Sequence, residues 1–91
     1  MQCPQIIYRE HALKRMFERS INVDAVEAVI ENGDIIKEYP DDKPFASYLF
    51  LGYFENRPFH VLVSKNGETC FIITVYEPDP VIWQEDFKTK K

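Results

Sequence analysis

The sequence predicts an α+β fold in which two N-terminal helices pack on a four-stranded antiparallel sheet, in a single domain of residues 1–91. Apolar residues recur with helical spacing only in the first third of the chain. The middle holds short apolar and aromatic runs separated by turn residues, which is typical of strands. The dipeptide Asn66-Gly67 lies between two of these runs and indicates a hairpin. With 45% hydrophobic residues among 91, the chain can bury one core.

The first helix is predicted over residues 8–20, because its apolar side chains fall in one stripe at 100° per residue. His11 and Arg15 lie on the opposite, polar face, and since they are four residues apart they are neighbours there. A titratable imidazole beside a fixed guanidinium is a pair that suits phosphate chemistry. The predicted buried stripe consists of Ala12, Leu13, Met16, Phe17 and Ser20.

The second helix is predicted between an N-cap at Asn22 and a terminating Gly33. Four strands are predicted over residues 34–39, 47–54, 59–64 and 69–76. The first of them is expected at a sheet edge, because it is charged and Pro40 follows it. The last residues, which include Trp83, are expected to lie against the domain.

The register of the hairpin at residues 66–67 decides which side chains share a face with His60, and the sequence leaves two registers open. A two-residue turn places His60 opposite Ile73, whereas a turn with a glycine bulge places it opposite Ile72. We favour the bulge, because it groups His60 and Tyr76 on one face of the sheet.

The charge distribution permits a phosphate-bearing ligand without requiring one. The net charge is −4, which argues against general nucleic-acid binding. Residues 9–19 nevertheless hold four basic residues against two acidic ones, and the chain ends with Lys88, Lys90 and Lys91. An electropositive first helix would therefore fit contact with phosphates on an otherwise acidic protein.

The sequence predicts a cytoplasmic protein without a membrane span. No run of about 18 apolar residues is present, and the first residues lack the basic and apolar regions of a signal peptide. In a reducing compartment Cys3 and Cys70 are expected to stay unpaired, with Cys70 packed as a small hydrophobic residue. The cysteines and histidines show no zinc-binding spacing, and no glycine-rich phosphate loop is present, so neither a metal nor a cofactor is predicted.

The candidate catalytic residues are His11, Arg15, His60 and Tyr76. RNA cleavage without a metal needs a base for the 2′-hydroxyl, an acid for the leaving oxygen and a cation for the phosphate. These four side chains supply such groups, provided that the first helix reaches the strand face that carries His60. In the structural alternative, His11 is a solvated surface residue and His60 is a hydrogen-bonded core residue.

Five separated blocks match, in order, the pattern of one protein family. They are His11-Ala12-Leu13-Lys14-Arg15-Met16, Gly33-Asp34-Ile35-Ile36 with Tyr39-Pro40, Tyr48-Leu49 with Gly52, Phe59-His60-Val61, and Thr74-Val75-Tyr76-Glu77-Pro78. On these blocks the chain resembles the domain-of-unknown-function 4258 family over nearly its whole length. The resemblance implies a fold related to the RelE-like toxin ribonucleases. It also implies a partner, a small zinc-finger protein like the antitoxins of such systems.

Two functions are therefore predicted as alternatives. The first is a toxin-like ribonuclease of a toxin–antitoxin pair, with RNA as its substrate. The second is a non-catalytic interaction module that binds a small zinc-finger partner or forms a homo-oligomer, because the sheet carries more aromatic side chains than two short helices cover. Convergence of the four candidate residues in one cleft would favour the first.

Overall fold

The computed structural model describes all of residues 1–91 and shows two helices on one face of a five-stranded sheet. The elements are β1 (Gln5–Tyr8), α1 (Glu10–Arg19), α2 (Val23–Asn32), β2 (Asp34–Tyr39), β3 (Ser47–Phe54), β4 (Arg57–Asn66) and β5 (Thr69–Tyr76). The strand order is β1-β5-β4-β3-β2, with β1 parallel to β5 and the other neighbours antiparallel. The α+β class and the two helices are confirmed, whereas the four-stranded antiparallel sheet is wrong.

The strand that the sequence reading missed is β1. Its four residues are too few to show a period, and its parallel pairing begins between Gln5 and Thr69, far apart in the chain. The predicted start of the first helix at Tyr8 is also wrong, because Tyr8 is the last residue of β1. The backbone of Arg9 is still extended and its N–H donates to the carbonyl oxygen of Ile72, so α1 begins only at Glu10.

The buried face of α1 is narrower than predicted. Ala12 and Met16 are buried, but Leu13 is 50% exposed and Phe17 is 89% exposed. The helix packs on the sheet chiefly through β5, the strand next to the edge. The two exposed side chains point past that contact into solvent.

The helix α2 begins and ends where the sequence predicts. The side chain of Asn22 accepts a hydrogen bond from the backbone N–H of Ala25 at 2.9 Å, which is an N-cap. Gly33 follows the last turn with a φ of −80°, so it is not there for a left-handed conformation. A Cβ at this position would lie 2.5 Å from the carbonyl oxygens of Val29 and Leu51. Glycine therefore allows the end of α2 to approach β3 closely.

Both predicted registers of the β4–β5 hairpin are wrong. Asn66 pairs with Thr69, so the turn residues are Gly67, at a φ of +61°, and the glutamate that follows it. A bulge inside the ladder then shifts the pairing and places His60 directly opposite Tyr76. Opposite residues share a face, so the grouping of His60 with Tyr76 results from an irregularity that turn chemistry does not reveal.

A disulfide joins Cys3 to Cys70, with the two Cα atoms 5.6 Å apart. The expectation of unpaired cysteines is wrong, because it rested on the compartment and not on the parallel pairing of β1 with β5. That pairing brings the segment before β1 beside the start of β5. Neither helix is long and apolar enough to cross a membrane.

The main core lies between the helices and one face of the sheet. It contains 14 buried residues, which include Val61 on β4 and Val75 on β5. The opposite face also buries residues, among them Leu49 and Leu51. Part of that face is covered by the C-terminal segment (residues 79–91), whose Trp83 is buried.

Candidate functional site

His60 and Tyr76 lie on the sheet face that is turned away from the helices. They are opposite each other on β4 and β5. Their neighbours Val61 and Val75 also pair, and both belong to the core beneath the helices. Because successive side chains of a strand point to opposite faces, His60 and Tyr76 face the C-terminal segment.

His60 is completely buried and both of its ring nitrogens are hydrogen-bonded. Nε2 lies 2.7 Å from the carbonyl oxygen of Phe87, and since a carbonyl only accepts, Nε2 carries the proton. Nδ1 therefore accepts from the hydroxyl of Tyr76 at 3.0 Å. The ring of Trp83 meets the imidazole edge to face, with centroids 4.6 Å apart. Burial lowers the pKa of His60, so the imidazole is neutral, and no ligand can touch it directly.

The hydroxyl-bearing partner, Tyr76, lines a cleft of about 340 Å³ between the sheet and the C-terminal segment. We call it the lysine cleft, and its cationic and aromatic lining is formed by Lys37, Tyr39, Tyr76, Trp83, Lys88 and Lys90. Lys37 lies over the ring of Tyr39 at 5.5 Å, and Lys90 lies over the ring of Trp83 at 5.6 Å. These contacts hold two ammonium groups at the cleft wall.

The lysine cleft is electropositive. None of its lining side chains is acidic, and only Lys88 has an ion-pair partner, Asp34 at 3.5 Å. Burial and the neighbouring Tyr39 raise the pKa of Tyr76, so its phenol stays protonated at neutral pH. A local excess of cations attracts anions even on a protein with a net charge of −4. Because Tyr76 already donates its proton to Nδ1 of His60, its oxygen can only accept from a ligand, so the cleft suits an anion that also carries a hydrogen-bond donor.

The C-terminal segment positions two of the lysines through a turn at Asp86. The carboxylate of Asp86 accepts from the backbone N–H groups of Lys88 and Thr89, at 2.9 and 3.1 Å. These hydrogen bonds lower the pKa of Asp86, so the carboxylate that makes them stays charged. A backbone bridge between Trp83 and Lys90 closes the turn. The segment thus has a defined path that aims Lys88 and Lys90 toward the cleft.

The structure brings together only two of the four candidate residues. His11 is exposed and Arg15 is half-buried, and both lie on α1, which packs on the opposite face of the sheet. The predicted grouping required α1 to reach the face that carries His60, and the sheet itself separates them. The positive charge near Tyr76 comes instead from Lys37 on β2 and from the C-terminal segment. The only sequence signal for it was the lysine-rich end of the chain.

Another depression, of about 370 Å³, lies between the N-terminal residues and α2. Its lining includes Glu27 and Glu31. These two carboxylates, one helical turn apart, outnumber the N-terminal ammonium of Met1, which also lines the depression, so it suits an anion less well than the lysine cleft does.

The family model described as Domain of unknown function (DUF4258) matches residues 8–77. The chain belongs to this family. The DUF4258 match runs from the end of β1 to the residue after Tyr76, so it includes His60 but not Lys88 or Lys90. No curated protein and no solved structure shows significant similarity to the chain. The lysine cleft therefore combines side chains from the DUF4258 domain with others from the segment that follows it.

Proposed function

We propose that this DUF4258 protein is a metal-independent endoribonuclease that binds an RNA phosphodiester in the lysine cleft. One observation supports it: Tyr76 lines a cleft with three lysines, and its hydroxyl is hydrogen-bonded to the buried His60. Phosphate binding needs cations, and RNA cleavage needs a group that accepts the 2′-hydroxyl proton. The catalytic residue that contacts RNA is then Tyr76, and His60 acts through it.

The proposed reaction forms a 2′,3′-cyclic phosphate. The 2′-oxygen attacks phosphorus, and the bond from phosphorus to the 5′-oxygen breaks. The 2′-hydroxyl proton passes to the oxygen of Tyr76, while the proton of the tyrosine moves along its hydrogen bond to Nδ1 of His60. The leaving 5′-oxygen takes a proton from the ammonium of Lys37 or Lys90. Return of the proton from His60 through Tyr76 to the neutral amine restores the starting state.

One contact of His60 favours this transfer. Burial lowers the pKa of His60, and the hydrogen bond that the carbonyl oxygen of Phe87 accepts from Nε2 offsets part of that effect. The imidazolium that forms during the reaction is therefore stabilised on one side by Phe87. On its other side it donates to the Tyr76 oxygen.

A ribonuclease is also what the relation to RelE-like toxins, implied by the sequence resemblance, would predict. By extension, we propose that RNA is met in the cytoplasm and that a small zinc-finger protein encoded nearby inhibits the enzyme as an antitoxin. Co-expression of that neighbouring gene should relieve any growth arrest that the ribonuclease causes. Growth arrest that persists when the neighbouring gene is co-expressed would contradict the antitoxin role but not the ribonuclease activity.

The direct test uses an end-labelled single-stranded RNA with a chelator present. The protein is expected to cleave it and to leave cyclic phosphate ends. Tyr76→Phe should lower the rate by about 10²- to 10⁴-fold, the usual contribution of a general acid or base. The matched control is Tyr53→Phe, which removes a hydroxyl from the same sheet face at a residue that is 56% exposed and lies outside the cleft. This variant should cleave RNA at the rate of the unsubstituted protein. No cleavage by the unsubstituted protein, or equal loss in both variants, would overturn the proposal.

Two checks keep this test interpretable. Tyr76→Phe leaves Nδ1 of His60 without its donor, which costs about 1–3 kcal/mol of folding free energy, so circular dichroism must show a folded variant. If His60 receives the proton, His60→Gln should also change the pH dependence of the rate. A purely structural histidine would lower the amount of folded protein and leave the pH profile of the remainder unchanged.

A second candidate function, the non-catalytic interaction module, is favoured by one observation. Leu13 and Phe17 are 50% and 89% exposed and lie one turn apart on α1, where they form an apolar pair. Self-association through this pair should appear as a dimer in sedimentation experiments and should be lost in Phe17→Asp. A protein that stays monomeric at high concentration would contradict self-association through this apolar pair.

A further inference from the structure

A second cleft lies on the same sheet face as the lysine cleft, and the proposed reaction does not use it. Its volume is about 450 Å³. We call it the aromatic cleft, and the residues on which the proposal depends are Arg9, Asp42, Lys43, Phe45, Ser47 and Ser64. Two of these are cations and one is an exposed carboxylate, so the cleft is polar at its rim.

One wall of the aromatic cleft is formed by Phe45, which stacks on Phe71. The rings of Phe45 and Phe71 are nearly parallel, with an interplanar angle of 10° and centroids 6.2 Å apart. The guanidinium of Arg9 lies 4.8 Å from the centroid of the Phe71 ring. Both phenylalanines are only half-buried, so part of this wall faces solvent. Phe45 and Arg9 both line the cleft, so a planar ring that stacks on Phe45 would share the cleft with a guanidinium.

The floor of the aromatic cleft is formed by short side chains. Ser47 and Ser64 pair directly across β3 and β4 and are 2% and 6% exposed. Because these side chains are small, they leave depth above this part of the sheet.

The two clefts adjoin each other. Leu49 of the lysine cleft pairs with Leu62 of the aromatic cleft across β3 and β4. Tyr39 of the lysine cleft pairs in the same way with Ser47 of the aromatic cleft across β2 and β3. Residues paired across neighbouring strands lie about 5 Å apart on one face. A single extended ligand can therefore occupy both clefts.

We propose that the aromatic cleft is a nucleobase-binding subsite that makes the protein selective for single-stranded RNA. One base stacks on Phe45, and Arg9 and Lys43 contact the phosphates that flank it. This inference rests on the proposed function, because the same RNA must reach Tyr76 in the adjoining cleft. A duplex is a poor ligand, since its bases are already stacked on each other and cannot reach the wall of this cleft.

Asp42 limits the directions in which the RNA backbone can cross the aromatic cleft. An exposed carboxylate at the rim repels phosphate, so the RNA backbone should run on the side of Arg9 and Lys43. The carboxylate can still accept a hydrogen bond from an exocyclic amino group of the base. Asp42→Asn should therefore leave binding unchanged or tighten it.

The test measures binding of 2′-O-methyl oligonucleotides, which lack the attacking hydroxyl, to the full chain. Trp83 is the only tryptophan and lines the lysine cleft, so its fluorescence reports occupancy there. A dinucleotide is compared with a strand of about eight nucleotides, which lies within the usual site size of single-strand-binding grooves. Phe45→Leu removes the stacking ring and keeps an apolar side chain. Its matched control is Phe17→Leu, the same change at an exposed residue on the opposite side of the sheet.

Phe45→Leu is expected to weaken binding of the longer strand by about tenfold, the size of a lost base–aromatic stack, and to leave dinucleotide binding unchanged. Arg9→Lys should also weaken binding of the longer strand, because an ammonium does not stack on an aromatic ring as a guanidinium does. Equal affinity of Phe45→Leu and Phe17→Leu for the longer strand would overturn the subsite alone. Tight binding of a duplex would overturn the selectivity. If the unsubstituted protein binds neither oligonucleotide, the proposed function fails together with the subsite.

Discussion

The hydroxyl of Tyr76 lies 3.0 Å from Nδ1 of His60, and Nε2 of the same ring lies 2.7 Å from the carbonyl oxygen of Phe87. The imidazole therefore links β5 to the C-terminal segment. A buried ring nitrogen without a partner costs free energy, so both bonds favour the position in which the segment covers the sheet. That position is also the one that places Lys88 and Lys90 at the lysine cleft. His60 thus supports the cleft from beneath.

The free energy of unfolding is expected to fall as the pH drops below about 6.5, the ordinary histidine value. Burial lowers the pKa of His60, so between its unfolded-state and folded-state values the unfolded chain binds a proton that the folded protein does not. Stability from this group is fully present above about pH 6.5 and is lost as the pH falls to the folded-state pKa, below which it stays constant. Urea denaturation at a series of pH values measures the slope of the free energy of unfolding against pH.

The two histidines allow a matched control for that slope. His60→Gln should remove it, whereas His11→Gln, at the exposed histidine of α1, should preserve it. A slope that is the same in His60→Gln and in the unsubstituted protein would show that another group titrates there.

Local signals in the sequence predicted those parts of the fold that local chemistry decides. Asn22 caps α2 because its side chain needs only the N–H of Ala25, three residues away. The parallel pairing of β1 depends on Thr69 and its neighbours, more than 60 residues away in sequence. No local pattern encodes that contact, and the disulfide at Cys70 was missed for the same reason.

The candidate site was predictable in part for a related reason. His60 is conspicuous in an apolar strand, and an imidazole there must find partners. Tyr76 is one of them, but the other is the backbone of Phe87, which has no side-chain signature. The prediction that Arg15 lies in one site with His60 was wrong. Helical periodicity shows which residues share a helix face, but it does not show which face of the sheet the helix covers.

Glycine-to-alanine substitutions should distinguish the loss of stability caused by close packing from the loss caused by an unfavourable backbone conformation. A Cβ on Gly33 would lie 2.5 Å from two backbone carbonyl oxygens, and one on Gly52 would lie 3.0 Å from atoms of Val29. Gly33→Ala is expected to lower the free energy of unfolding more than Gly52→Ala, within the roughly 1–3 kcal/mol typical of overpacking. Gly67→Ala meets no atom within 4 Å but keeps a φ of +61°, so its cost reflects conformation alone. Chemical denaturation measures all three, and Gly33→Ala as the mildest variant would contradict the close approach of α2 to β3.

Reduction of the disulfide should lower the stability of the protein. The bond between Cys3 and Cys70 joins residues 67 apart, and closing a loop of that size contributes about 2–5 kcal/mol to the free energy of unfolding. Thermal unfolding with and without reductant measures the effect. Cys3→Ser keeps Cys70 packed in the core, so it should unfold at the temperature of the reduced protein and be insensitive to reductant. A reductant effect of equal size in Cys3→Ser would show that the bond is not its cause.

Binding of single-stranded RNA should become less salt-dependent when a lysine of the cleft is removed. Each phosphate contact contributes about 0.7 to the slope of log affinity against log salt concentration, because a bound cation displaces counterions. Lys37→Gln and Lys90→Gln should each lower the slope by about that amount. Lys88→Gln should have a smaller effect, because Asp34 already lies 3.5 Å from its ammonium. Lys14→Gln makes the same charge change on α1, so if it lowers the slope as much as Lys37→Gln, the RNA is not bound in the lysine cleft.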